Sequence, residues 1–139
     1  MLSESVEDYL TAILRLETGG RAATTSVLAA LLAVAPPSVT EMVKRLDADG
    51  LVVHLPYRGA QLTDRGRRRA RAVLRRHRLV ETFLVEVLGM PADRVHAEAH
   101  RLEHALSDEV IERLDAWLGR PARDPHGQLI PGPALRRRT

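Results

Sequence analysis

Apolar side chains recur at three- and four-residue spacing along most of the chain, and break into short strand-like runs only around residues 51–62. Val6, Tyr9, Leu10, Ile13 and Leu14 follow Ser3, a good N-cap, and precede Gly19-Gly20. This spacing predicts a first helix that ends at the glycine pair. Thr25 to Leu32 predicts a short Ala/Leu helix, and a turn through Ala33–Ala35 follows it. Pro36 and Pro37 then stand where a new helix loses nothing by lacking an N–H. That helix runs from Ser38 to Asp49, turns Val39, Met42, Val43 and Leu46 inward, and stops at Gly50. Leu51-Val52-Val53 and Ala60-Gln61-Leu62 flank Tyr57-Arg58-Gly59, the pattern of a small hairpin. Thr63 caps a long helix from Asp64 to about Leu88, closed by Gly89. A further helix is predicted from Pro91 to Leu106. Ser107, with Asp108 and Glu109 behind it, caps a last one to Leu118, before Gly119. Beyond Arg120 the chain holds four of its eight prolines and ends in Arg136-Arg137-Arg138, which predicts an extended or mobile tail.

The order helix, helix, turn, helix, hairpin is that of a winged helix-turn-helix, so the fold class is mainly α with a small β wing. Composition agrees with this. Apolar residues make up 45% of the 139 and aromatic ones only 3%, so the core must be aliphatic. There is no cysteine, hence no disulfide, thiolate ligand or thiol nucleophile. No apolar run approaches the ~20 residues that cross a bilayer, and no signal peptide opens the chain, so a cytoplasmic protein is expected.

The net charge of +3 conceals a division. Residues 1–78 carry 13 basic and 8 acidic side chains, while residues 79–139 carry 8 and 10. A basic N-terminal half in a winged-helix layout points to double-stranded DNA. Ser38, Thr40, Glu41 and Lys44 lie off the buried stripe of the third helix and are the candidates to meet bases or phosphates. Tyr57 and Arg58 would meet the backbone from the wing. The arginine run from Arg65 to Arg78 would contribute non-specific phosphate contacts from its N-terminal part, although such runs are commonly solvated helix faces.

The acidic half holds a different signal. In the stretch HAEAHRLEH, residues 96–104, the side chains of His96, His100, Glu103 and His104 fall within an arc of roughly 100° on a helix. His77 and Glu81 stand one turn apart on the preceding helix. Imidazole and carboxylate without sulfur suit Mn²⁺, Fe²⁺, Co²⁺ or Zn²⁺, and a further oxygen donor would favour manganese. Asp8, beside the buried stripe of the first helix, is such a donor. Residues 100–104 also spell H-x-x-E-H, a zinc peptidase signature. A peptidase needs a further ligand and a substrate cleft, usually on a much longer chain, so no catalytic residue is expected.

The stretches PPSVTEMVKRLDADGLV, YRGAQLTDRGR, RHRLVETFL, VHAEAHRLEHALSDEV and DPHGQLIPG together resemble the metal-dependent repressors of the diphtheria toxin repressor and manganese transport regulator family. The resemblance runs from about Val6 to Pro133. It implies a winged helix-turn-helix DNA-binding domain over residues 1–73 and a helical metal-binding and dimerisation domain, with an extended tail, over 74–139. It also implies Mn²⁺ or Fe²⁺ as corepressor and a homodimer on palindromic operator DNA, with no membrane partner and no small organic ligand. Carried over by position, a primary metal site would use Asp8, His100, Glu103 and His104, and an ancillary site His77, Glu81 and His96. Iron-type members have Met at Asp8 and Cys at His100, so hard donors here tilt the expectation towards manganese. Manganese-type members have an acidic residue at Thr11 and Glu at His100, so separate sites are expected rather than a coupled two-metal cluster. Many relatives carry a further SH3-like domain after the IPG stretch. Candidates for the dimer face are Phe83, Leu84, Val87, Leu88, Val110, Leu114 and Trp117, which would serve equally as intramolecular core. A metal-indifferent winged-helix protein is the alternative reading.

Overall fold

The computed structural model describes residues 3–133, in two compact units divided between Arg71 and Ala72. Arg136-Arg137-Arg138 lie outside the described residues. The elements run α1 (Glu4–Thr18), α2 (Thr25–Leu32), α3 (Pro36–Ala48), β1 (Val52–Leu55), β2 (Gly59–Leu62), α4 (Asp64–Glu86), α5 (Val95–Glu103) and α6 (Asp108–Trp117). The order is the winged helix-turn-helix expected, followed by a helical unit. Among the described residues no single helix is long and apolar enough to cross a membrane.

In the first unit, the Ser3 hydroxyl accepts from Val6 N–H and starts α1, whose Leu10 and Ile13 are fully buried. Thr24 caps α2 in the same way, and Ala33 in the left-handed region ends it. Helix α3 opens on its prolines and buries Val39, Val43 and Leu46. Each such side chain removed from water contributes roughly 2 kcal/mol. β1 and β2 pair antiparallel from Val52↔Leu62 to Leu55↔Gly59. A bridge from Ala23 to Ala60 ties this hairpin to the α1–α2 connection. Glu17 adds a tie that periodicity does not reveal: its carboxylate accepts from Leu62 N–H and from the Arg67 guanidinium, both at 2.8 Å. It thereby pins β2 and the first turns of α4 to α1.

In the second unit, Leu79, Val80 and Leu84 of α4 pack with Val95 and Ala99 of α5 and Ile111 of α6. Arg75, 5% exposed, donates to Asp115 and Glu112 at 3.1 Å, and Arg120 also reaches Asp115. A buried guanidinium is tolerable only because carboxylates meet it.

Two expectations change. The helix expected from Pro91 is confined to Val95–Glu103, because residues 92–94 form a turn closed by Arg94 N–H on Pro91 C=O. The segment after Arg120 folds back rather than extending: Arg123 bridges Leu129, and Asp124 Oδ1 accepts from His126 and Gln128 N–H. Of the residues expected either at a dimer face or in the core, Leu84 belongs to the unit's own core, whereas Val87, Leu88, Val110 and Trp117 are exposed, and Phe83 and Leu114 are half-buried.

Candidate metal centres and nucleic-acid face

Helix α4 places His77 and Glu81 one turn apart on its buried face, 4% and 3% exposed. His77 Nε2 contacts the Glu81 carboxylate and lies 3.0 Å from His96 Nδ1 on α5. The other ring nitrogen, Nδ1, lies 2.6 Å from Glu103 Oε2. One oxygen or nitrogen from each of His77, Glu81 and His96 falls within 4.8 Å of the others. The structure therefore brings together the three residues expected for an ancillary site.

Burial lowers the affinity of His77 for a proton, but the hydrogen bonds and charges of Glu103 and Glu81 outweigh it and hold the pKa up at about 9. Burial likewise raises the Glu81 pKa, yet the hydrogen bond and charge of His77, then His126 and His96, bring it below the usual value. Stability from His77 is thus fully present below its ordinary pKa of 6.5 and lost as pH rises through about 9. Stability from Glu81 is present above 4.5 and lost as pH falls through its lowered value. Chelator-treated protein should lose on the order of 3 kcal/mol between pH 6.5 and 9. His77→Gln should remove that slope in urea unfolding curves recorded across the range. A slope unchanged in His77→Gln would refute the assignment.

A second group shares Glu81. The turn after α6 brings Asp124 and His126 to the carboxylate, with His126 Nδ1 2.9 Å from Glu81 Oε2. One atom from each of the three falls within 4.8 Å of the others. His126 Nε2 is 3.1 Å from Ala92 C=O, and donation to that carbonyl leaves the Nδ1 lone pair turned towards the carboxylates. Asp124 Oδ2 is buried with no hydrogen-bond partner among the described residues. Several lone pairs converging on one buried spot repel unless a cation or proton sits among them. These residues fit a divalent cation. Sequence reading passed over Asp124 and His126, although D-x-H at i, i+2 inside DPHGQLIPG was a usable signal.

His100 and His104 present their rings edge to face, centroids 5.1 Å apart. Glu103, the last residue of α5, is 4% exposed and committed to His77, with Oε1 3.3 Å from His104 Nε2. Asp8 is half-buried on α1 of the first unit.

On the first unit Ser38, Thr40, Glu41 and Lys44 are all exposed along α3, as are Tyr57 and Arg58 on the wing. Tyr57 is fully exposed at φ 66°, a left-handed conformation costing a bulky residue about 1–2 kcal/mol. A cavity of about 360 Å³ lies along α3, lined by Thr40, Lys44 and Asp47 with Thr25 from α2 and His54 from β1. Thr25 and His54 carried no signal in the sequence. Within the arginine run, Arg65, Arg67, Arg75, Arg76 and Arg78 are spent on protein partners. Arg68, Arg69 and Arg71 are exposed and have none among the described residues.

Comparison with known proteins also gives two parts, divided at residues 60–63. Residues 1–60 match the family model for the iron dependent repressor N-terminal DNA binding domain, and residues 63–132 that for its metal binding and dimerisation domain. The chain is 41% identical over 131 residues to the iron-dependent repressor IdeR of Mycobacterium tuberculosis and to the diphtheria toxin repressor of Corynebacterium diphtheriae. These matches cover 94% of this chain but 57% and 58% of those proteins, so the chain spans little more than half their length. An uncharacterized HTH-type transcriptional regulator of Methanocaldococcus jannaschii is 42% identical over 118 residues, 84% of this chain and 94% of that one. Among solved structures, a manganese-dependent transcriptional repressor in complex with manganese is 46% identical with a TM-score of 0.83, over 91% of this chain and 58% of that one. The zinc-bound form of ScaR is 42% identical with a TM-score of 0.81, over 91% and 59%.

Proposed function

Because the chain belongs to the iron-dependent repressor family, a family of transcriptional repressors and not of enzymes, we propose that it is a cytoplasmic, divalent-metal-dependent repressor. It binds palindromic operator DNA as a homodimer and controls metal-homeostasis genes, with manganese favoured over iron. The observation that carries the metal reading is Asp124 Oδ2, a buried carboxylate oxygen with no hydrogen-bond partner among the described residues, beside Glu81 and His126. The preference for manganese rests on donors that are oxygen and imidazole without sulfur. Exposed Val87, Leu88, Val110 and Trp117 are the proposed dimer face.

Three sets of side chains carry the switch. His77, Glu81 and His96 form one donor set, and Glu81, Asp124 and His126 another that shares the carboxylate. The sequence resemblance assigns a further set to Asp8, His100, Glu103 and His104. A bound divalent ion supplies positive charge where buried carboxylates otherwise repel. Asp8 belongs to the DNA-binding unit and the histidines to the dimerisation unit, so their joint ligation restricts the winged units. A restricted dimer meets two half-sites about one helical turn apart, or a multiple of it. The coupling is reciprocal, so operator DNA tightens ion binding by the same factor.

The test is fluorescence anisotropy on palindromic promoter DNA from a metal-transporter gene, with Mn²⁺, Fe²⁺, Zn²⁺ or chelator present. Manganese should tighten binding about 100-fold over chelator, and Asp8→Ala should lose most of that gain. Equal binding with chelator would leave a metal-indifferent winged-helix protein in its place.

A further inference from the structure

Glu103 sits between two groups of histidines in the second unit. Oε2 lies 2.6 Å from His77 Nδ1, and Oε1 lies 3.3 Å from His104 Nε2. Through its opposite nitrogen His77 faces Glu81 and His96, while the His104 ring packs on His100. Glu103 and His77 are shielded from water, each 4% exposed, while His96 is exposed. The 2.6 Å separation is that of a hydrogen bond.

We propose that Glu103 is a positioning residue for the His77–Glu81–His96 group, and that through it this group is coupled to the His100–His104 pair. Its carboxylate accepts from His77 Nδ1–H, which settles the tautomer and leaves Nε2 directed at Glu81 and His96. A carboxylate behind a ligating imidazole orients the ring and makes the ligating nitrogen more basic. Because the other oxygen of Glu103 lies against His104, a shift of the His104 ring moves the carboxylate that orients His77. The two groups are then mechanically linked without sharing an ion. This rests on the reading of the His77 group as a metal site.

The experiment is calorimetric titration of full-length, metal-free protein with Mn²⁺, starting from a His100→Ala/His104→Ala background. In that background, direct ligation by Glu103 alongside His100 and His104 no longer contributes. Glu103→Ala should still weaken Mn²⁺ binding 10–100-fold. Glu103→Gln should recover most of the loss, because an amide oxygen also accepts from Nδ1–H. No effect of Glu103→Ala there, or Gln as damaging as Ala, overturns the proposal. A background that binds no Mn²⁺ at all removes the His77 site itself, and the proposal with it. Should the Glu103 variants fail to fold, ¹⁵N spectra of the wild-type protein loaded with Zn²⁺ decide the matter. His77 should show a protonated Nδ1 and a metal-bound Nε2. Metal on Nδ1 overturns the assignment.

Discussion

Glu81→Ala is expected to abolish high-affinity Mn²⁺ binding at both candidate groups of the second unit at once. The carboxylate is divided between them: one oxygen serves His77 and lies 3.8 Å from His96, and the other faces His126 at 2.9 Å. Substitution of His96 or of Asp124 removes a donor from one group only, and should leave the other titrating normally. Loss of Glu81 removes a donor from both, and it also removes a carboxylate that keeps His77 charged in the metal-free protein. Calorimetric titration should show affinity lowered by more than about 100-fold, and anisotropy on operator DNA should show the response to Mn²⁺ gone. Metal-free Glu81→Ala should also have a smaller decline of stability between pH 6.5 and 9 than wild type. If Glu81→Ala retains Mn²⁺ binding of wild-type strength at either group, the shared-carboxylate arrangement is wrong.

The second large effect is on the DNA-binding unit. Gly66 lies in the first turn of α4, where Thr63 Oγ1 accepts its N–H, and the helix start rests directly on the Leu51 backbone. A Cβ on Gly66 would stand 1.9 Å from Leu51 C=O oxygen and 2.9 Å from its carbonyl carbon. Neither atom belongs to a flexible side chain, so the helix or the strand start must move. Such overpacking, with loss of the Thr63 cap and strain at Leu51, should cost about 3 kcal/mol or more. That is a large part of the ~5–15 kcal/mol that holds a domain together. Gly66→Ala should therefore unfold the winged unit at much lower urea, and lose operator binding at any metal concentration. Gly132→Ala, whose Cβ meets nothing within 4 Å, should unfold within ~0.5 kcal/mol of wild type. Equal unfolding midpoints for the two variants would show that the close approach at Gly66 is not real.

Helix identity was readable because its causes are local. Ser3 and Ser107 cap where expected, Pro36 opens α3, and Gly19 and Gly89 follow α1 and α4. The apolar stripe of α1 is buried as its spacing implies. The end of α5 shows the limit. His96, His100 and Glu103 do lie on one helix, with His104 as its C-cap, yet the structure sends Glu103 to His77 and pairs His100 with His104. Helical periodicity gives direction to within a quarter turn, and the choice among neighbours in that arc belongs to the packed helix opposite. The arginine run is similar. Its charge was plain, but only folding shows that Arg75 is consumed by Asp115, 40 residues away, while Arg68, Arg69 and Arg71 stay exposed.

Capping, helical spacing, the glycine and proline stops and the donor types are properties of a residue and its near neighbours, so the chain alone declared a winged helix-turn-helix, a helical second half and a hard-donor metal chemistry. Which donors meet is another matter. Glu17 on Leu62 and Glu81 on His126 each join residues 45 apart, and Asp124 Oδ2, buried with no hydrogen-bond partner among the described residues, depends on a desolvated pocket that no local pattern encodes. Those pairings were decided by tertiary packing, because burial strengthens a charge contact and makes an unmatched carboxylate costly only once water has been removed.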